Sequence, residues 1–233
     1  MKASELLEQY ANGRRDFQEA LLRDANLEEA PLPEINLLSA DLREVNLRKA
    51  DLSRSILGNA NLKLSNLSEA NLVEANLVEA NLIGANLILA DMSWVKLKRA
   101  NLSWAKLIGA TLINSNLHQA ILADTKLIGA DLTEAKLPKA NLREANLTWA
   151  NLERANLQDA DLTEAKLGRV SLRGANLSGA ILCKANLEGA DLREANLSGA
   201  DLREAMLCEA NLEGANLDRA ILNRSIYFCF REP

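Results

Sequence analysis

Residues 70–92 read ANLVEANLVEANLIGANLILADM. The repeated unit is A-(N/D)-L-x-x, and it runs without a slip from Ala20 to Leu222. Of the 41 third positions in that span, 40 are Leu and the exception is Met92. The first position is Ala in 33 of the 41, and the others are Ile35, Val45, Ser55, Ser65, Val95, Ser115, Thr125 and Val170. Asn or Asp fills the second position in 27 of 41. The fourth and fifth positions vary freely and carry most of the charge.

This period decides the backbone. An α-helix turns about 100° per residue, so a Leu every five residues would wander around its surface. A straight strand alternates sides at every residue, so the Ala–Leu pair of one pentad would face opposite to the next pair. Both pairs point inward only if the chain bends once per pentad. Identical bends of one sense wind the chain into a coil, and successive coils stack as parallel β-bridges about 4.8 Å apart. The number of sides is hinted at by the second position. All seven Asp there (41, 51, 91, 131, 161, 191, 201) fall in pentads that start at a multiple of ten, and all five Lys (96, 106, 126, 136, 166) fall in the others. That alternation survives stacking if each coil holds an even number of pentads, although duplication of a ten-residue unit would also leave it.

On these pentads the chain resembles the pentapeptide-repeat family, over about nine-tenths of its length. The leader ELLEQYANGRRDFQEALL resembles the one preceding the repeats in cyanobacterial members, including a regulator of heterocyst differentiation. The resemblance implies an all-β fold, a right-handed quadrilateral parallel β-helix with twenty residues per coil. About ten coils would make a rod of roughly 50 Å.

Three regions are expected: a capping helix and leader at 1–16, a β-helix at 17–224, and a C-terminal cap at 225–233. Ala3, Leu6, Leu7 and Tyr10 recur at helical spacing, and Asn12-Gly13 is a helix stop, which predicts a helix over 2–12 with Phe17 as the first inward residue. Gly at the fifth position (84, 109, 129, 174, 179, 189, 199, 214) suits the third residue of a type II turn, where φ is positive. Pro138 at the fourth position suits the same turn, whereas Pro31 and Pro33 are expected to weaken stacking near the start. Asn and Asp at the second position can bond along the stack or to local backbone. At the far end, Ile226, Tyr227, Phe228 and Phe230 form a dense aromatic and apolar cluster, read as a cap or as a dimer contact.

Composition narrows function mostly by exclusion. The 233 residues carry a net charge of −5, from 32 acids and 27 bases, and 3% are aromatic. This argues against a basic nucleic-acid binder and a disordered acidic tail. No run approaches the ~18 apolar residues of a membrane span, and the opening MKASELLEQY has no apolar signal region. His118 is the only imidazole and sits at a corner position. Cys183, Cys208 and Cys229 lack zinc spacing. One coil plus one side separates Cys183 from Cys208, which should place them roughly 10 Å apart, beyond disulfide reach. Free thiols, a reducing compartment and a cytoplasmic location are expected. Carboxylates lie beside bases, as in Arg43-Glu44, Arg143-Glu144, Arg193-Glu194 and Arg203-Glu204, which describes a solvated mixed-sign surface. No phosphate loop is present, and a leucine-filled interior leaves no cavity. No enzymatic activity, metal or cofactor is expected.

Binding is the remaining kind of function. Outward apolar residues concentrate between 64 and 149, where all three Trp lie. The candidate partner-binding residues are Leu64, Ile83, Ile88, Leu89, Trp104, Ile108, Ile128 and Trp149. With twenty residues per coil, Ile88, Ile108 and Ile128 stack in one column, and Lys106, Lys126 and Lys166 share a neighbouring one. An exposed apolar patch with Trp and flanking Lys resembles a protein interface; alternatively, β-branched corner residues merely stabilise the sheet. Three functions stay open. One is a scaffold or regulator that binds another protein, as monomer or C-terminal dimer. The second is DNA mimicry that protects gyrase, as in the family's quinolone-resistance members. The third is a purely structural solenoid.

Overall fold

A computed structural model describes residues 1–226. Parallel bridges join each second-position residue to the one twenty residues later, from Asp16↔Asn36 without interruption to Met206↔Ile226. With one bend per pentad, four sides make a coil, and the chain is a right-handed quadrilateral β-helix. The sides are here the first (35–39 and its equivalents twenty apart), second (40–44), third (45–49) and fourth (50–54).

The hydrogen bonding of each pentad explains why the period is five. The second-position N–H donates to the previous coil, as Asn36 does to Arg15 O at 2.8 Å. The third-position N–H donates to the next coil, as Leu37 does to Ile56 O at 2.8 Å. The fifth-position N–H does likewise, as Ser39 does to Gly58 O at 2.9 Å. The first-position N–H closes the corner turn, as Ala40 donates to Leu37 O at 3.1 Å. Only the fourth-position N–H lacks a backbone acceptor, and the second-position side chain supplies one. Leu38 N–H donates to Asn36 Oδ1 at 3.1 Å, and the same Asx bond recurs along the rod. Asn amides also bond along the stack, as from Asn46 to Asn26 and from Asn196 to Asn176. The Asn/Asp preference thus satisfies a donor that the geometry would otherwise leave to water.

Every fifth-position residue from Glu19 to Arg224 has a positive φ, glycine or not. This is the left-handed conformation that the third residue of a type II turn requires. Inside, the first and third positions are sealed, with nearly every Ala and Leu from Leu32 to Ala205 at 0–1% exposure. Burial of each Leu contributes about 1.5–3 kcal/mol.

Helix α1 spans Ala3–Ala11 and covers the first coil. Leu6 is fully buried, with Ala3, Leu7 and Tyr10 packed against the core. Phe17 is buried as the first inward residue. Gly13 takes φ +94° to end the helix. Pro31 and Pro33 do not weaken the stack: Pro31 pairs with Asp51. A second-position N–H points to the preceding coil, and beneath Pro31 lies the helical leader instead of a repeat coil, so no ladder bond is lost. Pro33 O even accepts the Tyr10 hydroxyl at 2.6 Å.

Two further expectations are corrected. Cys183 is free, but Cys208 is disulfide-bonded. The geometric reading weighed only the Cys183–Cys208 pair, and those two are indeed not joined to each other. Cys208 is also buried, at 1% exposure, despite its fourth-position place. Ile226 continues the stack by pairing with Met206, while Tyr227, Phe228 and Phe230 lie outside the described residues. In the last coil, Leu212, Leu217 and Leu222 are only partly buried. No helix among the described residues is long and apolar enough to cross a membrane.

Candidate protein-binding surface

The corner geometry sorts the candidate residues into two kinds. Fourth-position side chains lie half-buried along the corner, as Ile83, Ile88, Ile108 and Ile128 do. Fifth-position side chains project from a left-handed backbone. Leu64, Leu89, Trp104 and Trp149 are all exposed, Trp104 at 63% and Trp149 at 61%.

Stacking brings most of them around the third side. One edge of that side is the column Ile88, Ile108, Ile128, with Leu89 and Trp149 projecting from the same corner. The opposite edge carries Ile83, Leu64 and Trp104. Between the edges run Asn86, Lys106, Lys126, Asn146 and Lys166 at the second position, paired coil to coil. The three lysines are exposed. Trp94 projects from the fourth side, beside Glu74 and Lys96, and is not part of this group.

Glycines shape the surface, and sequence reading assigned them only to turn geometry. The fifth-position columns are Leu64–Gly84–Trp104 and Leu89–Gly109–Gly129–Trp149. A Cβ on Gly84 would lie 2.8 Å from Leu64 Cδ2, so Leu64 leans over that glycine. Leu89 leans over Gly109 in the same way, at 2.9 Å. Nothing lies within 4 Å of the corresponding point on Gly129. An open notch therefore stands over Gly129, between Leu89 and Trp149 in the column. The signal was available in twenty-residue column arithmetic applied to glycine. Above the notch, the Arg169 guanidinium lies 5.8 Å from the Trp149 ring centroid.

Several aspartates are held by a nearby arginine. Arg203 holds Asp201 through two nitrogens, and Arg193 holds Asp191 likewise. These arginine hydrogen bonds depress both carboxyl groups, Asp201 to about 2. Asp41 is held low by Arg43 in the same manner. Burial pushes the Cys183 thiol up, and the neighbouring Asp201 carboxylate adds to the rise. His118 sits half-buried at its corner, its backbone N–H donating to Asn116 Oδ1 at 3.2 Å. Among the described residues, no group of three or more His, Cys, Asp or Glu side chains could hold a metal ion.

These features define a β-helical solenoid whose chemistry lies on its outer corners. The family model described as pentapeptide repeats matches in eight copies, over residues 20–59, 60–99, 100–138, 140–179, 171–207 and 185–224. The chain belongs to the pentapeptide-repeat family. It is similar to HetL, a pentapeptide repeat protein involved in heterocyst differentiation regulation from the cyanobacterium Nostoc sp. strain PCC 7120. The two are 39% identical over 97% of each chain, with a TM-score of 0.72. A weaker likeness is to QnrB1, a plasmid-mediated fluoroquinolone resistance protein: 17% identity, 75% of this chain, 89% of that one, TM-score 0.35. Another is a pentapeptide repeat protein of the Arabidopsis thaliana thylakoid lumen: 31% identity, 45% of this chain, 69% of that one, TM-score 0.33. Among curated proteins, none matches.

Proposed function

We propose that the chain is a non-enzymatic scaffold that binds another protein through the third side and its two edges. One observation carries this reading. Trp104 and Trp149 stand in a left-handed backbone, φ 58° and 63°, and remain mostly exposed. A bulky residue in that conformation costs about 1–2 kcal/mol where glycine costs little. Their exposure recovers little of that by burial, so sheet stabilisation does not account for them. Buried in a partner's contact, Trp is the residue type that contributes most.

The likeness to HetL supports a regulatory role, in heterocyst differentiation if the kinship extends to function. The free thiol of Cys183 fits a cytoplasmic location, whereas the Cys208 disulfide counts against a reducing compartment. The terminal segment 225–233 is read as the cover of the last coil or as a dimer contact, in keeping with the partly open Leu212, Leu217 and Leu222. DNA mimicry needs an uncompensated acidic face. The arginine pairing of Asp41, Asp191 and Asp201 counts against it.

Crosslinking mass spectrometry on captured partner tests the proposal. Crosslinks should cluster on Lys106, Lys126 and Lys166, and Trp104→Glu with Ile108→Glu should abolish capture while the far-ultraviolet spectrum stays β-helical. Equal capture by the folded double variant refutes the surface.

A further inference from the structure

Lys106 and Lys126 form a bridge pair on adjacent coils, which sets two ammonium-bearing residues about 4.8 Å apart along the stack. Like charges directly opposite in a sheet are destabilising. Each lysine also replaces the Asn or Asp whose Oδ1 would accept the N–H of Ile108 or Ile128. Near the start of the same side the arrangement differs: Arg48 sits between Glu28 and Glu69 at 2.8 and 3.0 Å. Among the described residues, no carboxylate lies within ion-pair distance of Lys106 or Lys126; Asp124 stands one coil from Trp104 in the fifth-position column of the second side. Two positions thus give up a hydrogen bond and accept repulsion, on a side whose edges carry Ile88, Ile108, Ile128 and Trp104.

Resting on the binding surface proposed above, we infer that its occupant is an acidic amphipathic helix of the partner protein. Its carboxylates would stand over Lys106 and Lys126, and its apolar face would lie on Ile108 and Ile128, with one large side chain in the notch above Gly129. A strand is not suited, because the backbone groups of this side are already spent between coils and no edge is open for pairing. A helix needs only side-chain contact. Its pitch of about 5.4 Å nearly matches the coil spacing of about 4.8 Å, so successive turns stay in step over three coils to within about 2 Å.

The test is a random library of displayed helical peptides, selected on the immobilised full chain. Wild type is expected to enrich sequences with Asp or Glu on one face and Leu, Ile or Phe at i, i+3, i+4 and i+7. Lys106→Asn with Lys126→Asn restores the repeat residue, and so keeps the fold, but should weaken the selected peptides at least about tenfold. Raising salt to about 1 M should weaken the wild-type complex and leave the variant's residual binding little changed. Peptides that bind wild type and the lysine variant equally, yet are lost with Trp104→Glu and Ile108→Glu, leave the surface standing and overturn the acidic helix. Peptides indifferent to both variants, or no enrichment, overturn both readings. Tighter binding of a labelled oligothymidine of about 15 nucleotides than of any selected peptide would reassign the lysines to single-stranded nucleic acid.

Discussion

Arg203 reaches back two residues to Asp201, with Nε donating to Oδ1 at 2.9 Å and Nη2 to Oδ2 at 2.6 Å. The same D-L-R arrangement recurs at Asp41–Arg43 and Asp191–Arg193, where the residues are half-buried. In Asn141-Leu-Arg143 the second position is neutral, and Arg143 turns to Asp161 of the next coil at 3.2 Å. An arginine at the fourth position therefore pairs within its pentad when the second position is Asp, and reaches along the stack when it is not, as Arg173 does to Glu194.

Acid stability follows from this. The folded Asp201 titrates at about 2, below its ordinary 3.8, so the pairing stabilises fully above about pH 4 and is lost as pH falls through about 2. Asp41 and Asp191 act in the same direction. Between pH 4 and 2 the urea midpoint should fall, and Asp201→Asn should make that fall shallower. Solvent exposure of the arginines keeps each effect small. An unchanged slope in the variant would remove Asp201 from the account.

Among the described residues, two core hydroxyls are unsatisfied. Ser55 and Ser115 are buried on the first side with no partner for Oγ. Ser65 and Thr125, on the third side, donate to Leu62 O and Leu122 O at 2.7 Å. Ser115→Ala and Ser55→Ala should each stabilise by about 1–2 kcal/mol, and Ser65→Ala by less. Urea unfolding followed by circular dichroism measures the difference.

Trp104→Gly separates stability from binding. Glycine accepts the left-handed corner freely, so the midpoint should rise, by up to about 1 kcal/mol of stability, while partner capture is lost. A variant that loses both stability and binding would mean that Trp104 is a structural residue.

The end of the chain can be tested as cover or as contact. Phe228→Asp with Phe230→Asp should lower the melting temperature at a constant mass if the segment covers Leu212, Leu217 and Leu222 of its own coil. A drop from dimer to monomer in light scattering would assign it to self-association. An unchanged melting temperature and mass would exclude both roles.

Gyrase supercoiling in the presence of a quinolone should be inhibited to the same extent with and without micromolar protein. Protection would restore the DNA-mimic reading.

Much of the fold is legible in the sequence because the interior admits so few residue types. A Leu at nearly every third position leaves one backbone solution, and the parity of Asp and Lys at the second position matches the four-sided coil that the bridges display. Exposed features are harder to read. That Arg203 would choose Asp201 over the adjacent Glu204 depends on rotamers at a corner, which the period does not encode. Pro31 looked harmful because its lost N–H was counted without the direction in which that N–H points. The 25-residue separation of Cys183 from Cys208 bears on that pair alone and carries no information on the disulfide that Cys208 does form. The candidate residues fell on one surface for the reason the columns suggested, but the notch over Gly129 emerged only when absent side chains were read along with present ones.

The uninterrupted register makes orientation a discrete variable. Insertion of one pentad would rotate everything beyond it by a quarter turn relative to α1; pairings within each part are kept, and only the columns that cross the insertion are re-matched. Insertion of four would restore the original bearing and lengthen the rod by one storey. Descendants of such a chain can thus re-aim a surface by duplication alone, without inventing a new one.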